Sequence, residues 1–277
     1  MKPGDLNRKA GSPGFAERMP VLFVGHGSPM NAIEENEFTA GWRAVAKTLP
    51  RPRAILCISA HWETRGTFLT AMEQPQTIHD FGGFPKELFE VQYPAPGSPG
   101  LAKETRGLLT GTEAELDTRW GLDHGTWSIL KHLYPGADVP VIEMSLNYYR
   151  SPKEHYALAK ELSPLRKEGV LIIGSGNMVH NLRMVAWERM KEPGFGYDWA
   201  LEANDRMKKF ILAGDHPSLA NYSSLGSAFR LAIPTPDHFL PLLYVLALQE
   251  DDEVPTFFND QPVMGSLTMT SVRIAGG

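Results

Sequence analysis

The chain has 277 residues, 42% hydrophobic and 21% charged, enough for one large α/β domain with its own core, and nothing in its composition marks a second. A formal charge of -5 leaves no basic footprint for nucleic acid or anionic lipid and points to a small substrate instead. One cysteine, Cys57, rules out an intrachain disulfide and fits a reducing compartment, and no window reaches the roughly 18 unbroken apolar residues of a membrane span, so a cytoplasmic protein is expected.

Residues 1–18 are polar and rich in Gly and Pro, and are expected to form a flexible lead into a catalytic domain over 19–277. Val21-Leu22-Phe23-Val24 then closes on Gly25-His26-Gly27-Ser28-Pro29. Four apolar residues without polar alternation predict a strand covered on both faces, and the turn leaves His26 at its C-terminal end. A helix is predicted over 34–49, where Phe38, Trp42, Val45, Ala46 and Leu49 recur at helical spacing before Pro50 and Pro52 stop it. Ala54-Ile55-Leu56-Cys57-Ile58 is a second buried strand, with an inert thiol inside it, that runs into Ser59-Ala60-His61-Trp62. Strand, helix, strand is the order of a βαβ unit.

A further strand over 66–72 precedes two stretches, 79–85 and 93–99, that hold too much Gly and Pro for regular structure. They are expected as ordered loops over a site, with Phe81 and Phe84 either facing a planar substrate or packing on the body. A helix over 99–109 and a short strand over 113–118 lead to Trp120-Gly121-Leu122-Asp123-His124-Gly125-Thr126-Trp127, where His124 either acts on a substrate or caps a helix over 126–134. His132 and His155 fall within helices and are assigned to their surfaces. After a strand over 139–146, Ser151-Pro152-Lys153-Glu154 is a capping box with Pro at the first helical position, opening a helix to about Lys167. A third buried strand over 170–173 turns through Gly174-Ser175-Gly176-Asn177 toward His180, and a helix follows over 199–213. Pro234-Thr235-Pro236-Asp237-His238 opens a nearly all-apolar helix over 237–248, and the alternation over 266–274 reads as an edge strand.

Several imidazoles brought to one edge of a sheet from distant parts of a chain suggest a metal site, because ligands gather beyond the carboxyl ends of parallel strands and neutral imidazole is the commonest protein ligand. A closed structural site is disfavoured by the single cysteine.

Taken together, Gly25-His26-Gly27-Ser28-Pro29, Ser59-Ala60-His61-Trp62, His79-Asp80-Phe81-Gly82-Gly83-Phe84-Pro85, Asp123-His124-Gly125, Gly176-Asn177-Met178-Val179-His180-Asn181 and Pro234-Thr235-Pro236-Asp237-His238 resemble the class III extradiol ring-cleaving dioxygenases, in the 4,5-DOPA branch. The resemblance runs from about Met19 to the C-terminus. It implies a single α/β domain with a central, mostly parallel or mixed sheet, helices on both faces and a metal site at the C-terminal edge of the strands. It implies a mononuclear Fe(II) and O2-dependent opening of a catechol such as DOPA. His26, His61 and His238 are then the metal-binding set, with His180 a fourth ligand or a catalytic acid/base and His124 a second catalytic group. Trp62, His79, Phe84, Trp127 and Asn177 are the expected substrate contacts. This branch has His where related enzymes carry a carboxylate, and an all-imidazole site also suits Zn(II), so a zinc hydrolase using metal-bound hydroxide is the alternative. The expected partners are a catechol and O2, with neither nucleic acid nor membrane, for a monomer or small homo-oligomer.

Overall fold

The apolar runs become neighbouring strands of one sheet. In the computed structural model, which describes residues 18–190 and 192–276, the strands are β1 (Val21–Gly25), β2 (Ala54–Thr64), β3 (Thr67–Thr70), β4 (Ala114–Asp117), β5 (Val141–Asn147), β6 (Val170–Gly176), β7 (Glu253–Phe258) and β8 (Ser271–Gly276). Their order across the sheet is β4-β3-β5-β2-β6-β1-β8-β7. The middle four, β5, β2, β6 and β1, are mutually parallel, whereas β3 joins β5, β8 joins β1, and β7 joins β8 in antiparallel pairs. The sheet is therefore mixed, with its parallel centre ending along one edge. The expected flexible segment over 1–18 lies, Arg18 apart, outside the described residues.

Alternation along the strands divides the core into two layers. Val21, Phe23, Leu56 and Ile58 face one layer, while Leu22, Val24, Ile55, Cys57, Leu171 and Ile173 face the other. Among the helices are α1 (Glu37–Ala46), α2 (Pro99–Leu108), α3 (His124–Leu133), α4 (Pro152–Ala159), α5 (Ser163–Lys167), α6 (Asp198–Leu212) and α7 (Leu240–Leu246). Trp42 of α1 and Trp127 of α3 cover the second layer; Leu158 of α4, Met207 of α6 and Leu243 of α7 cover the first. Each such side chain contributes about 1.5–3 kcal/mol when fully buried, so helices on both faces clamp the parallel strands. No described helix is long and apolar enough to cross a membrane.

Several elements depart from expectation for local reasons. The helix expected to run from Ser151 to Lys167 breaks at a 3-10 turn over Lys160–Leu162, because Pro164 has no N–H to continue the ladder. β8 is not an edge strand, since it lies between β1 and β7. The apolar helix begins at Leu240 rather than Asp237, because Phe239 N and Leu240 N both donate to Pro236 O and make residues 236–239 a turn. His132 and His155 are buried, not on helix surfaces: His132 Nε2 donates to Asn31 O at 2.7 Å, and His155 is held between Tyr244 Oη at 2.9 Å and Asn147 O at 3.2 Å.

Candidate metal centre

The parallel strands deliver their histidines by different local devices. His26 follows β1 directly, and Gly27, at φ +62°, turns the chain there in a region that favours glycine. His61 lies inside β2 rather than past its end: the pairing with β5 shifts register between Ile58 and Glu63, an irregularity of the kind that re-aims side chains. His124 is the first residue of α3, whose cap is Asp123, with Oδ1 accepting from Thr126 N at 3.2 Å; the capping alternative for His124 is thereby removed. His180 follows β6, its N donating to Ala232 O at 2.9 Å. His238 is seated by glycine. A Cβ on Gly176 would lie 2.1 Å from His238 O and one on Gly174 would lie 2.3 Å from Pro241 O, so only bare backbone lets residues 238–241 lie on β6.

The five rings form a row folded at its middle, where His26, His61 and His238 make a triangle with His61 and His238 centroids 5.0 Å apart. Centroid separations are 3.9 Å for His124 to His61, 4.9 Å for His61 to His26, 5.3 Å for His26 to His238, and 3.5 Å for the stacked pair His238 and His180. His26, His61 and His124 can bring one ligand atom each within 4.8 Å of one another, and so can His180, Asp237 and His238.

Three of the rings are hydrogen-bonded through Nδ1, and a fourth, His61, turns its Nδ1 toward a carboxylate. Ser175 Oγ lies 2.6 Å from Gly125 O, which can only accept, so the hydroxyl proton goes there and Ser175 accepts the Nδ1 proton of His26 at 2.9 Å. His124 Nδ1 lies 2.9 Å and His61 Nδ1 3.5 Å from Asp80 Oδ2, while His238 Nδ1 bonds Asp237 Oδ2. A carboxylate or hydroxyl behind each ring is the outer-shell pattern of metal-binding histidine. Burial, and then the other imidazoles, push His26 and His61 well below the usual histidine range; burial and His238 take His180 down to about 3. These rings are neutral at pH 7. His26 Nε2 and His61 Nε2 stand 3.1 Å apart, and with the protons on Nδ1 two lone pairs face each other, an arrangement a cation between them relieves. The donor set fits a metal ion, and imidazole serves iron and zinc alike.

Carboxylates complete the surroundings. Asp80 is held below the usual carboxylate range: burial would raise it, but interactions with His124, the ring hydrogen bond first, outweigh that. Beneath the row, Asp123 accepts from Ser59 Oγ at 2.7 Å, and Glu143 accepts from Asp123 N at 2.9 Å. Burial, followed by the charge of Asp80, raises Asp123 to about 6; burial and Asp123 raise Glu143 well above its usual value. Cys57 is buried, accepts from Thr126 Oγ1 at 3.2 Å, and is pushed up by burial, which makes it an inert thiol.

The expected substrate contacts are placed less uniformly. Trp62 is buried and stacks on Trp120 with centroids 5.6 Å apart, lining a separate cavity of about 330 Å³. Trp127 is fully buried, its Nε1 donating to Ile78 O, and His79 Nε2 bonds Val91 O, so both hold the loop over 78–85. Phe84 packs on Phe81, and it is Phe81 that sets its edge against His124 at 5.5 Å. Asn177 lies beneath His238, its N donating to His238 O and its Nδ2 to Thr268 O. Asp80, Ser175 and Asp237 carried no role in the sequence; Asp80 and Asp237 each adjoin a histidine singled out there, and Ser175 lies two residues before Asn177.

Residues 20–269 match the family described as the catalytic LigB subunit of aromatic ring-opening dioxygenase. The chain is 46% identical over 262 residues to a 4,5-DOPA dioxygenase extradiol of Escherichia coli (strain K12), covering 93% of this chain and 95% of that one. It is 35% identical over 228 residues to a 4,5-DOPA dioxygenase extradiol of Mirabilis jalapa, covering 80% and 84%. The crystal structure of an uncharacterized protein from Escherichia coli K12 is similar with a TM-score of 0.80 at 41% identity, covering 92% of this chain and 99% of that one.

Proposed function

The chain belongs to the family of the catalytic subunit of aromatic ring-opening dioxygenases and is an extradiol dioxygenase, and from that premise we propose that it opens the ring of a catechol such as DOPA with Fe(II) and O2. The observation that carries the reading is the row of five imidazoles, four of them with Nδ1 facing a hydroxyl or carboxylate. His26, His61 and His238, the middle of the row, would hold the metal, with His180 close enough to serve as a fourth ligand. When bound, Fe(II) supplies the electron transfer that lets triplet O2 react with a closed-shell catechol.

The ends of the row handle protons. His180 makes no side-chain hydrogen bond among the described residues and stacks on His238, so a ring nitrogen is open to take a catechol proton and later return it. His124 presents Nε2 from the other end, where it can bond a substrate or oxygen-derived group, and Phe81 beside it supplies an apolar edge for a planar ring. Holding both reactants at one site removes much of the entropic barrier between them.

Incubation of Fe(II)-loaded and Zn(II)-loaded protein with DOPA under ¹⁸O2 tests the proposal. The iron form is expected to consume one O2 per catechol and give a yellow, ring-opened, labelled product, and the zinc form to give none. Absence of label, or equal turnover with zinc, would overturn it in favour of metal-assisted hydrolysis.

A further inference from the structure

Asp80 grips two rings of the imidazole row at once. Its Oδ1 accepts the backbone N–H of His124 at 2.9 Å, its Oδ2 lies 2.9 Å from His124 Nδ1, and the same Oδ2 lies 3.5 Å from His61 Nδ1. Its side chain is 17% exposed, so these contacts are largely shielded from competing water. We propose that Asp80 is a positioning residue that locks His124 in the Nδ1–H form and holds the Nδ1 edge of His61 against the same oxygen, so that both Nε2 atoms are directed at the reacting centre; the inference rests on reading His61 as a ligand and His124 as a proton-handling group.

An ionised carboxylate only accepts hydrogen bonds, so a ring nitrogen facing it must carry the proton. With the proton on Nδ1, the neutral ring keeps its lone pair on Nε2. The grip on His124 has two points, main chain and ring, which fixes the ring's direction as well as its tautomer. Its backbone N–H opens α3 and has no acceptor within the helix, so Oδ1 satisfies an orphan donor where the helix dipole also favours negative charge. Sharing Oδ2 explains why the His61 and His124 rings approach to 3.9 Å, and it links a group proposed to bind metal to one proposed to move protons. The next residue, Phe81, lies edge-on to His124, so the same anchor also sets the loop wall.

Asp80→Asn separates this role from simple helix capping. The asparagine oxygen can still accept from His124 N, but its NH2 must then face Nδ1 and offer a proton where one already stands. The ring is driven to the Nε2–H tautomer. ¹⁵N spectra of histidine-labelled protein, metal-free and zinc-loaded and assigned with His124→Gln, read that change without any turnover. The expected result in Asp80→Asn is a switch of His124 from Nδ1–H to Nε2–H, metal affinity lowered about 10–100-fold, and kcat lowered about 10²-fold or more with KM little changed. Asp80→Glu, which remains a pure acceptor, is expected to keep the Nδ1–H form. An unchanged His124 tautomer in Asp80→Asn overturns the proposal whatever the activity does, as does a switched tautomer with metal affinity and kcat both at the wild-type level. Failure of the ring-opening reaction in the wild-type protein would strike the functional reading and leave the tautomer result standing on its own.

Discussion

Ser175 accepts the Nδ1 proton of His26 at 2.9 Å because its own proton is committed to Gly125 O at 2.6 Å. The serine therefore decides which nitrogen of His26 is free, and it does so from within β6, the strand paired with the one that delivers His26. Ser175→Ala removes the only polar group bonded to that Nδ1 among the described residues. The free ring can then carry its proton on Nε2, and metal must compete with it. Metal affinity is expected to fall about 10–100-fold, measured by chelator competition, with the far-ultraviolet circular dichroism unchanged. Wild-type affinity in Ser175→Ala would show that His26 is oriented by something else.

The ligand assignment can be tested ring by ring. His26→Ala, His61→Ala and His238→Ala are each expected to lose metal in elemental analysis and remain folded, because these rings pack on one another and belong to neither apolar layer of the core. His180→Gln is expected to retain most of its metal and lose turnover by about 10²-fold or more, the scale of a removed acid/base group. Full metal occupancy in any of the first three would strike that residue from the set, and metal loss in His180→Gln would make His180 the fourth ligand.

The parallel centre of the sheet was legible because strands buried on both faces show unbroken apolar runs, and a Gly-flanked turn after such a run marks its end; His26 could be placed that way. His61 was legible as a candidate but not in its setting, since a register shift depends on the partner strand, which local pattern does not contain. His132 and His155 were misplaced for a related reason: periodicity tells which residues share a helix face, not whether a further layer covers that face. Asp80 was hidden by its type, since a carboxylate in a Gly-rich loop is ordinarily solvated, and only the folding of that loop onto α3 gives it two imidazole partners.

Gly176 offers a test of how His238 is seated. A Cβ there would lie 2.1 Å from His238 O, a backbone atom that cannot rotate away. Gly176→Ala must push the segment over 238–241 off β6, and Asn177 N then loses its bond to His238 O. Overpacking of this kind costs about 1–3 kcal/mol, and contact with backbone puts it toward the upper end. Denaturant unfolding should show that loss together with weakened metal binding. A variant as stable and as metal-loaded as wild type would mean that the segment is not held by this contact.

The last test is a pH dependence that arises away from the imidazole row. His155 accepts a hydrogen bond from Tyr244 Oη at Nδ1 and donates from Nε2 to Asn147 O, so both nitrogens are satisfied by a neutral ring. Burial, the largest influence, lowers it from the usual 6.5 to about 4, against a smaller opposing contribution from the Asn147 hydrogen bond. Between those values the unfolded chain binds a proton that the folded chain excludes, so the free energy of unfolding must fall as pH falls from about 6.5 to about 4, and this contribution levels off below, where both states are protonated. At about 1.36 kcal/mol per pKa unit, the loss is at most roughly 3 kcal/mol. His155→Gln can bond both partners without titrating. Urea unfolding of the two proteins under chelator, from pH 7 to pH 4, should show wild type losing up to that amount more than the variant. Parallel curves would mean that His155 takes up its proton in the folded protein as readily as in the unfolded one.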